Sequence, residues 1–268
     1  MQDNTSFAGS IPEYYDRYMG PVMFEPYARD IAQRAAATGA RQVLECACGS
    51  GIVTRALRTA LAPDAALVAS DLAPAMLQYA QAHVGPLPNT HWQVADLTAL
   101  PFDTASFEAV VCQFGVMFPS DKPALFGEVR RVLRPRGHWI FNVWDTLAAN
   151  PFAAAVHRTI GAMSPSDPPQ FFTVPFAFSD HDVLRGLLRD HDFTDITLET
   201  IPLIARSSSA LALATGMVRG SPVASALTER GLDLDAVILQ VTEVLATLGG
   251  RAPFESPMQA VVCTARAG

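Results

Sequence analysis

The chain has no cluster of lysine and arginine side chains, and its formal net charge is -7. Proteins that bind DNA or RNA rely on such clusters to neutralise phosphates. The acidic balance therefore argues against a nucleic-acid partner. It also disfavours attachment to an anionic membrane through a polybasic patch.

Two kinds of hydrophobic segment are also missing. Residues 1–10 are polar and carry Asp3, with neither the basic nor the apolar region of a secretory signal. No uninterrupted apolar run is long enough to cross a bilayer. We therefore expect a cytoplasmic protein without a membrane span, either a monomer or a homodimer.

Cysteine is scarce and is not spaced for zinc. Each of the four cysteines falls in or beside an apolar run: Cys46, Cys48, Cys112 and Cys263. The Cys-Ala-Cys pair lacks a second cysteine or histidine pair at metal-binding spacing. These residues are predicted to be small buried hydrophobes in a reduced protein, and no metal site is expected.

The six histidines also lack metal-binding spacing. His157 and His181 fall in the second half of the chain, in the region predicted to cap a ligand site. They are the candidates for a general base, with an ordinary surface or core role as the alternative. No other catalytic residue is predicted.

Short apolar strands alternate with amphipathic helices in the first half of the chain. The predicted strands are residues 42–46, 66–70, 91–95, 107–113 and 138–144, and the predicted helices are residues 24–37, 51–61, 74–83 and 123–133. This order predicts an α/β fold, a Rossmann-like sheet of seven mostly parallel strands with helices on both faces. Ligands bind such sheets at the carboxyl ends of the strands.

The second half changes character, with a proline-rich stretch at residues 164–175 that contains Phe171 and Phe172. Strands are predicted at residues 195–203 and 258–265, and helical pieces at residues 208–248, broken at Gly216, Gly220 and Gly231. We divide the chain into an N-terminal helical lid segment (residues 1–40), a ligand-binding core (41–146) and a C-terminal part (147–268). The last part completes the sheet and carries cap insertions at about residues 147–178 and 205–252.

One glycine turn follows the first strand. The run from Val43 reads Val-Leu-Glu-Cys-Ala-Cys-Gly-Ser-Gly, and glycines there let the backbone approach a ligand closely. A dinucleotide site needs a third glycine, but Thr54 stands at that position. Glu45 before the turn would repel a pyrophosphate and suits a cationic amino-acid group.

Carboxylates end the next two strands. Asp71 follows Gly51 by twenty residues, where it can accept both hydroxyls of a ribose. Asp96 follows the third strand and can accept from an adenine amino group, with Leu97 beside the ring. The fourth strand leads into the apolar run Cys-Gln-Phe-Gly-Val-Met-Phe, which begins at Cys112.

With Arg-Val-Leu-Arg-Pro-Arg-Gly-His near residue 134, these motifs form five ordered matches. The chain thereby resembles the class I S-adenosylmethionine (SAM)-dependent methyltransferases, especially the ubiquinone/menaquinone-biosynthesis type, well over residues 14–144 and loosely beyond. It departs from that family at Ala47, where the first glycine is usual, and at Arg136, where glycine is common.

The resemblance implies that SAM is the cofactor and that S-adenosylhomocysteine (SAH) is its product. It also implies that the partner is a small-molecule acceptor. The apolar and aromatic second half of the chain favours a hydrophobic or aromatic acceptor. Tyr14 or Tyr18 would close over SAM. The implied cofactor-binding residues run from the methionine end through the ribose to the adenine and its surroundings: Glu45, Ala47, Gly49, Gly51, Gln113, Phe114, Asp71, Leu72, Met76, Asp96, Leu97 and Tyr18.

Two alternatives share much of this pattern. An NAD(P)-dependent Rossmann oxidoreductase would have the same turn and Asp71, although Thr54 and Asp96 count against it. A SAM-binding protein without methyl-transfer activity could have an identical sequence. Nucleic-acid methylation is disfavoured by the net charge and by Gln113-Phe114-Gly115 where an Asn/Asp-Pro-Pro-Tyr/Phe motif would stand.

Overall fold

A computed structural model describes residues 9–268. The beginning of the predicted N-terminal segment, residues 1–8, lies outside the described residues. The α-helices are α1 Ile11–Tyr14, α2 Glu25–Ala37, α3 Ile52–Ala60, α4 Pro74–Val84, α5 Lys122–Val132, α6 Pro151–Met163, α7 His181–Asp190, α8 Ala210–Arg219, α9 Val223–Glu229 and α10 Leu234–Gly249. A π-helix spans Tyr15–Phe24, and short 3₁₀-helices span Leu147–Ala149 and Phe171–Thr173.

Seven strands form one sheet in the order β3-β2-β1-β4-β5-β7-β6. The strands are β1 Gln42–Cys46, β2 Ala66–Asp71, β3 Thr90–Val94, β4 Phe107–Gln113, β5 Leu133–Trp144, β6 Phe193–Ser207 and β7 Phe254–Ala267. Strands β1 to β5 are parallel, and β7 runs antiparallel to both β5 and β6. The predicted fold class is confirmed.

The sheet is covered on both faces, so its central strands are almost wholly apolar. Every residue of β1 after Gln42 is buried, and β4 is buried except at Glu108 and Gln113. All four cysteines are buried and free, as the apolar runs predicted. No helix among the described residues is long and apolar enough to cross a membrane.

The second half differs from prediction in its lengths. Strands β6 and β7 pair over nearly their whole lengths and exceed the predicted runs at both ends. Since β6 lies at the sheet edge, about half of its residues are exposed. Backbone pairing across the sheet extends these strands beyond their hydrophobic pattern.

Helix α8 is continuous through Gly216, where a break was predicted. Gly216 is buried against the π-helix, and a β-carbon added there would lie 2.7 Å from that of Tyr18. This glycine is therefore a point of close helix packing and not a helix end. The predicted breaks at Gly220 and Gly231 are confirmed.

Candidate functional site

A cavity of about 340 Å³ opens where β1, β2, β3 and β4 end, and we call it the strand-end cavity. Nine of the predicted cofactor-binding residues line it: Ala47, Gly49, Asp71, Leu72, Met76, Asp96, Leu97, Gln113 and Phe114. The other three, Glu45, Gly51 and Tyr18, are not among its lining residues. The fold thus brings together residues from four separate motifs.

The turn after β1 has a left-handed backbone at three positions. Ala47, Gly49 and Gly51 have φ values of 52°, 55° and 84°. A β-carbon added to Gly51 would lie 2.6 Å from Val84, so glycine is required there for packing against α4. The turn presents bare backbone at Gly49, with the Met76 side chain opposite.

Asp71 fixes this turn as well as lining the cavity. Its carboxylate accepts hydrogen bonds from the backbone N–H groups of Gly49 and Ala73, both at 2.8 Å. Burial raises its pKa, and these two bonds oppose that rise. A carboxylate has about four acceptor positions, so it can still accept from a ligand hydroxyl.

Asp96 is arranged in a similar way at the end of β3. One carboxylate oxygen, Oδ1, accepts from the Thr98 backbone N–H at 2.8 Å and from its hydroxyl at 2.7 Å. No donor among residues 9–268 bonds its other oxygen. Leu72, half exposed, and Leu97 add apolar surface to the same cavity.

Glu45 is buried behind the lining residues, at the end of β1. Burial raises the pKa of its carboxyl to about 8, with a smaller opposing effect from Thr54. Neither oxygen meets a hydrogen-bond donor in good geometry among the described residues. A carboxyl of this kind ionises readily only when a cation approaches.

Gln113 and Phe114 form the wall between β4 and the N-terminal segment. The Gln113 amide donates to the Phe24 carbonyl at 3.1 Å, while its Oε1 atom is buried without a partner among the described residues. Phe114 has a φ of 53° and stacks on Trp144 with ring centroids 3.9 Å apart. The unpartnered Oε1 is an acceptor available to a ligand ammonium group.

Tyr15 is the residue that sequence reasoning missed. It lines the strand-end cavity, whereas Tyr14 and Tyr18 do not and instead stack on each other with ring centroids 6.0 Å apart. Burial, with the nearby carboxylates of Asp71 and Asp16, raises the Tyr15 pKa, so its hydroxyl stays protonated. Position 15 begins the π-helix, and an α-helical pattern gives no signal for that change of phase.

Asp16 ties this segment to the glycine turn. It accepts from the Ser50 hydroxyl at 2.8 Å and from the Tyr79 hydroxyl at 3.3 Å. The N-terminal segment is therefore bonded to the glycine turn and to α4, and its Tyr15 covers the cavity from one side.

A second, smaller cavity of about 70 Å³ adjoins the first, and we call it the aromatic cavity. The two cavities share Tyr15, Phe114 and Phe118. The rest of its wall consists mainly of methionine and aromatic side chains: Met19, Met23, Phe24, Met117, Trp144, Phe171, Phe172, Phe176 and Met217. Among the described lining residues, Tyr15 alone has a titratable side chain.

The two candidate bases lie elsewhere. Neither His157, in α6, nor His181, at the start of α7, lines either cavity. The described residues also contain no cluster of three or more side chains suited to a metal ion.

The sheet order and the cavity at its strand ends define a Rossmann-like α/β protein. Comparison with known proteins narrows that class: residues 43–137 match the model of a family described as a methyltransferase domain. The match confirms, over this segment, the resemblance that the five motifs predicted.

Two curated relatives and one solved structure illustrate the similarity. The malonyl-[acyl-carrier protein] O-methyltransferase of Hahella chejuensis is 37% identical over 121 residues, 45% of this chain but only 43% of that protein. The demethylmenaquinone methyltransferase of Deinococcus radiodurans is 28% identical over 200 residues, covering 70% of this chain and 83% of that protein. The [4+2]-cyclase SpnF shares the fold, with a TM-score of 0.58, 16% identity and coverage of 91% and 81% of the two chains.

Proposed function

We propose that this chain transfers a methyl group from SAM to a small apolar acceptor held in the aromatic cavity. The observation that carries the proposal is the junction of two unlike cavities. One is lined by backbone and carboxylates at the strand ends, and the other by methionine and aromatic side chains. The strand-end cavity would take the cofactor and the aromatic cavity the acceptor.

The strand-end residues fit SAM in charge and shape. Asp71 and Asp96 offer carboxylate oxygens for the ribose and adenine, while Leu72 and Leu97 offer apolar surface to the ring. The Oε1 atom of Gln113, buried without a partner among the described residues, would accept a hydrogen bond from the methionine ammonium group. Gly49 has no side chain, so it leaves room for the methionine part of SAM. When bound, SAM supplies a methyl group on a positively charged sulfur.

The aromatic cavity accounts for how this chain would promote the reaction. Its wall carries no carboxylate, histidine or lysine among the described residues, and Tyr15 stays protonated because burial raises its pKa. Catalysis therefore rests on holding the acceptor in line with the methyl group and away from water. A nucleophile that needs no base from the protein suits such a site. Aromatic and methionine walls favour a flat or apolar acceptor.

The test is a methyl-transfer assay with labelled SAM and a panel of small phenols, quinols, thiols and acyl thioesters. We expect product with at least one apolar member. Phe172→Ala should enlarge the aromatic cavity and shift activity toward bulkier acceptors without changing SAH affinity. Phe126→Ala is the matched control, since Phe126 is fully buried but lines neither cavity. Tight SAH binding with no transfer across the panel would favour a SAM-binding protein with another activity.

A further inference from the structure

Lysine occurs once in this chain. Lys122 is the only lysine among 268 residues, and the other 18 basic side chains of the Lys and Arg class are arginine. It lies at the first position of α5, where a positive charge opposes the helix dipole. Its side chain is partly buried, and none of the ion pairs among residues 9–268 includes it. A cation at this position of a helix lowers the stability of the folded state.

The ammonium group of Lys122 joins two separate segments. It donates to the backbone carbonyls of Met117 at 2.8 Å and Pro119 at 2.5 Å. It also lies over the ring of Phe178, 4.6 Å from the centroid. The first segment is the loop of residues 114–121 after β4, and the second is residues 171–178, which we call the aromatic segment.

The two segments line the cavities differently. The loop lines both: Pro119, Ser120 and Asp121 face the strand-end cavity alone, Met117 faces the aromatic cavity alone, and Phe114 and Phe118 are shared. The aromatic segment supplies Phe171, Phe172 and Phe176 to the aromatic cavity and nothing to the strand-end cavity. Lys122 is thus bonded to the loop that lines both cavities and packed on Phe178, two residues after Phe176 in the segment that lines only the aromatic cavity.

We propose that Lys122 is a positioning residue that couples the two cavities, so that a ligand in the strand-end cavity orders the aromatic segment across the ammonium group. The inference rests on the proposed function for the identity of that ligand. A cation over an aromatic ring and two donated hydrogen bonds are directional contacts, so movement of the loop is transmitted to Phe178. Burial lowers the pKa of Lys122 to about 8, which gives the contact a measurable signature.

Hydrogen exchange tests the coupling in the full chain, with SAH as the ligand. In the wild type we expect SAH to slow exchange in residues 118–121 and also in residues 171–178. Lys122→Met keeps the length of the stem but removes the N–H donors and the charge. It should raise exchange in both segments without ligand, and SAH should then protect residues 118–121 while protecting 171–178 at least threefold less than in the wild type.

Two further variants separate this role from a general structural one. Lys122→Arg retains a cation and should restore much of the response of residues 171–178. Arg189→Met removes an exposed cation from α7 and should behave as the wild type. In addition, ¹³Cε-lysine labelling gives a single NMR signal, which should titrate near pH 8 and shift when SAH binds.

Each outcome bears on one proposal. If Lys122→Met leaves ligand-free exchange of both segments at wild-type rates, the coupling is overturned whatever SAH does. It is also overturned if SAH protects residues 171–178 equally in the variant and the wild type. If calorimetry detects no heat with SAH and SAH does not protect residues 118–121 in the wild type, the proposed function fails. The comparison of ligand-free exchange in Lys122→Met and the wild type still tests the Lys122 contact.

Discussion

At the residue scale, the strand-end acids were predictable and the residues around them were less so. Asp71 and Asp96 end predicted strands, and parallel strand ends meet at one edge of a sheet. Tyr15 could not be chosen over Tyr18 because the choice depends on the phase of a π-helix. The double use of Asp71, as a ligand candidate and as an acceptor for Gly49, is also invisible in sequence because it depends on hydrogen bonds across the turn.

Ala47 shows what a departure from the family pattern means physically. Its φ is 52°, a backbone conformation that disfavours a β-carbon. A β-carbon added at Gly115 would lie 2.5 Å from the Ala47 methyl group. The methyl therefore occupies space beside Gly115, which explains how alanine is accommodated at this position and why residue 115 must stay small.

Glu45 makes the stability of the free protein depend on pH. Its folded pKa, about 8, lies above the unfolded value of about 4.3, so the folded state binds the proton more tightly. This contribution is present at low pH and is lost as pH rises through about 8. Glu45→Gln should therefore equal the wild type near pH 4.5 and exceed it by roughly 3–5 kcal/mol at pH 8, as measured by urea unfolding.

The same variant reports on cofactor binding. A cation near Glu45 favours its ionised form, so SAM binding to the wild type should release a proton between pH 6.5 and 8. Calorimetry in buffers of different ionisation enthalpy measures that release, and Glu45→Gln should reduce it. Glu229→Gln, an exposed carboxylate without an ion pair among the described residues, is the control. If proton release on SAM binding had the same pH dependence in the wild type, Glu45→Gln and Glu229→Gln, this role of Glu45 would be ruled out.

At the scale of elements, the N-terminal π-helix and α8 depend on each other. Gly216 inside α8 and Gly220 at its C-cap lie four residues apart and let the backbone approach the π-helix. The sequence pattern predicts a helix break at both glycines, and this is wrong for Gly216, since spacing alone cannot distinguish a break from a close crossing. The predicted lengths of β6 and β7 were too short for a related reason. The length of each strand depends on pairing with a partner far along the chain.

Gly220→Ala should destabilise the protein by roughly 1–3 kcal/mol, because overpacking displaces the neighbouring backbone. The added β-carbon would lie 2.6 Å from the Gly216 carbonyl oxygen and 2.8 Å from the Tyr15 nitrogen. It should also weaken SAH binding, since Tyr15 lines the strand-end cavity. Thermal unfolding and calorimetry measure the two effects.

Gly186→Ala is the matched control for that substitution. Gly186 lies inside α7, and a β-carbon added there meets nothing within 4 Å. Alanine should stabilise this helix by about 0.5–1 kcal/mol with no change in SAH affinity. If both alanine variants had the same effect, the close crossing of α8 and the π-helix would not matter for the site.

At the scale of the whole molecule, the predicted division into three parts remains a proposal, although contacts join these parts around the site. Tyr27, in the N-terminal part, donates from its hydroxyl to the Ile201 carbonyl at 3.0 Å on β6. Asp16 bonds the glycine turn, and Lys122 reaches the aromatic segment. A ligand in the strand-end cavity would therefore contact elements from the first and middle parts, and these are bonded in turn to the last.

SAH should accordingly stabilise the whole chain against heat. At a concentration one hundred times its Kd, a ligand that binds only the folded state adds about 2.7 kcal/mol, which corresponds to a rise in Tm of roughly 5–10 °C for a chain of this size. Asp71→Ala should lower the affinity about fivefold to one-hundred-fold and reduce the rise at the same SAH concentration. Asp71→Asn keeps one acceptor oxygen for the glycine turn, so its SAH affinity should lie between those of Asp71→Ala and the wild type. NAD⁺ at the same concentration should leave Tm unchanged, and a rise with NAD⁺ but none with SAH would point to a dinucleotide site instead.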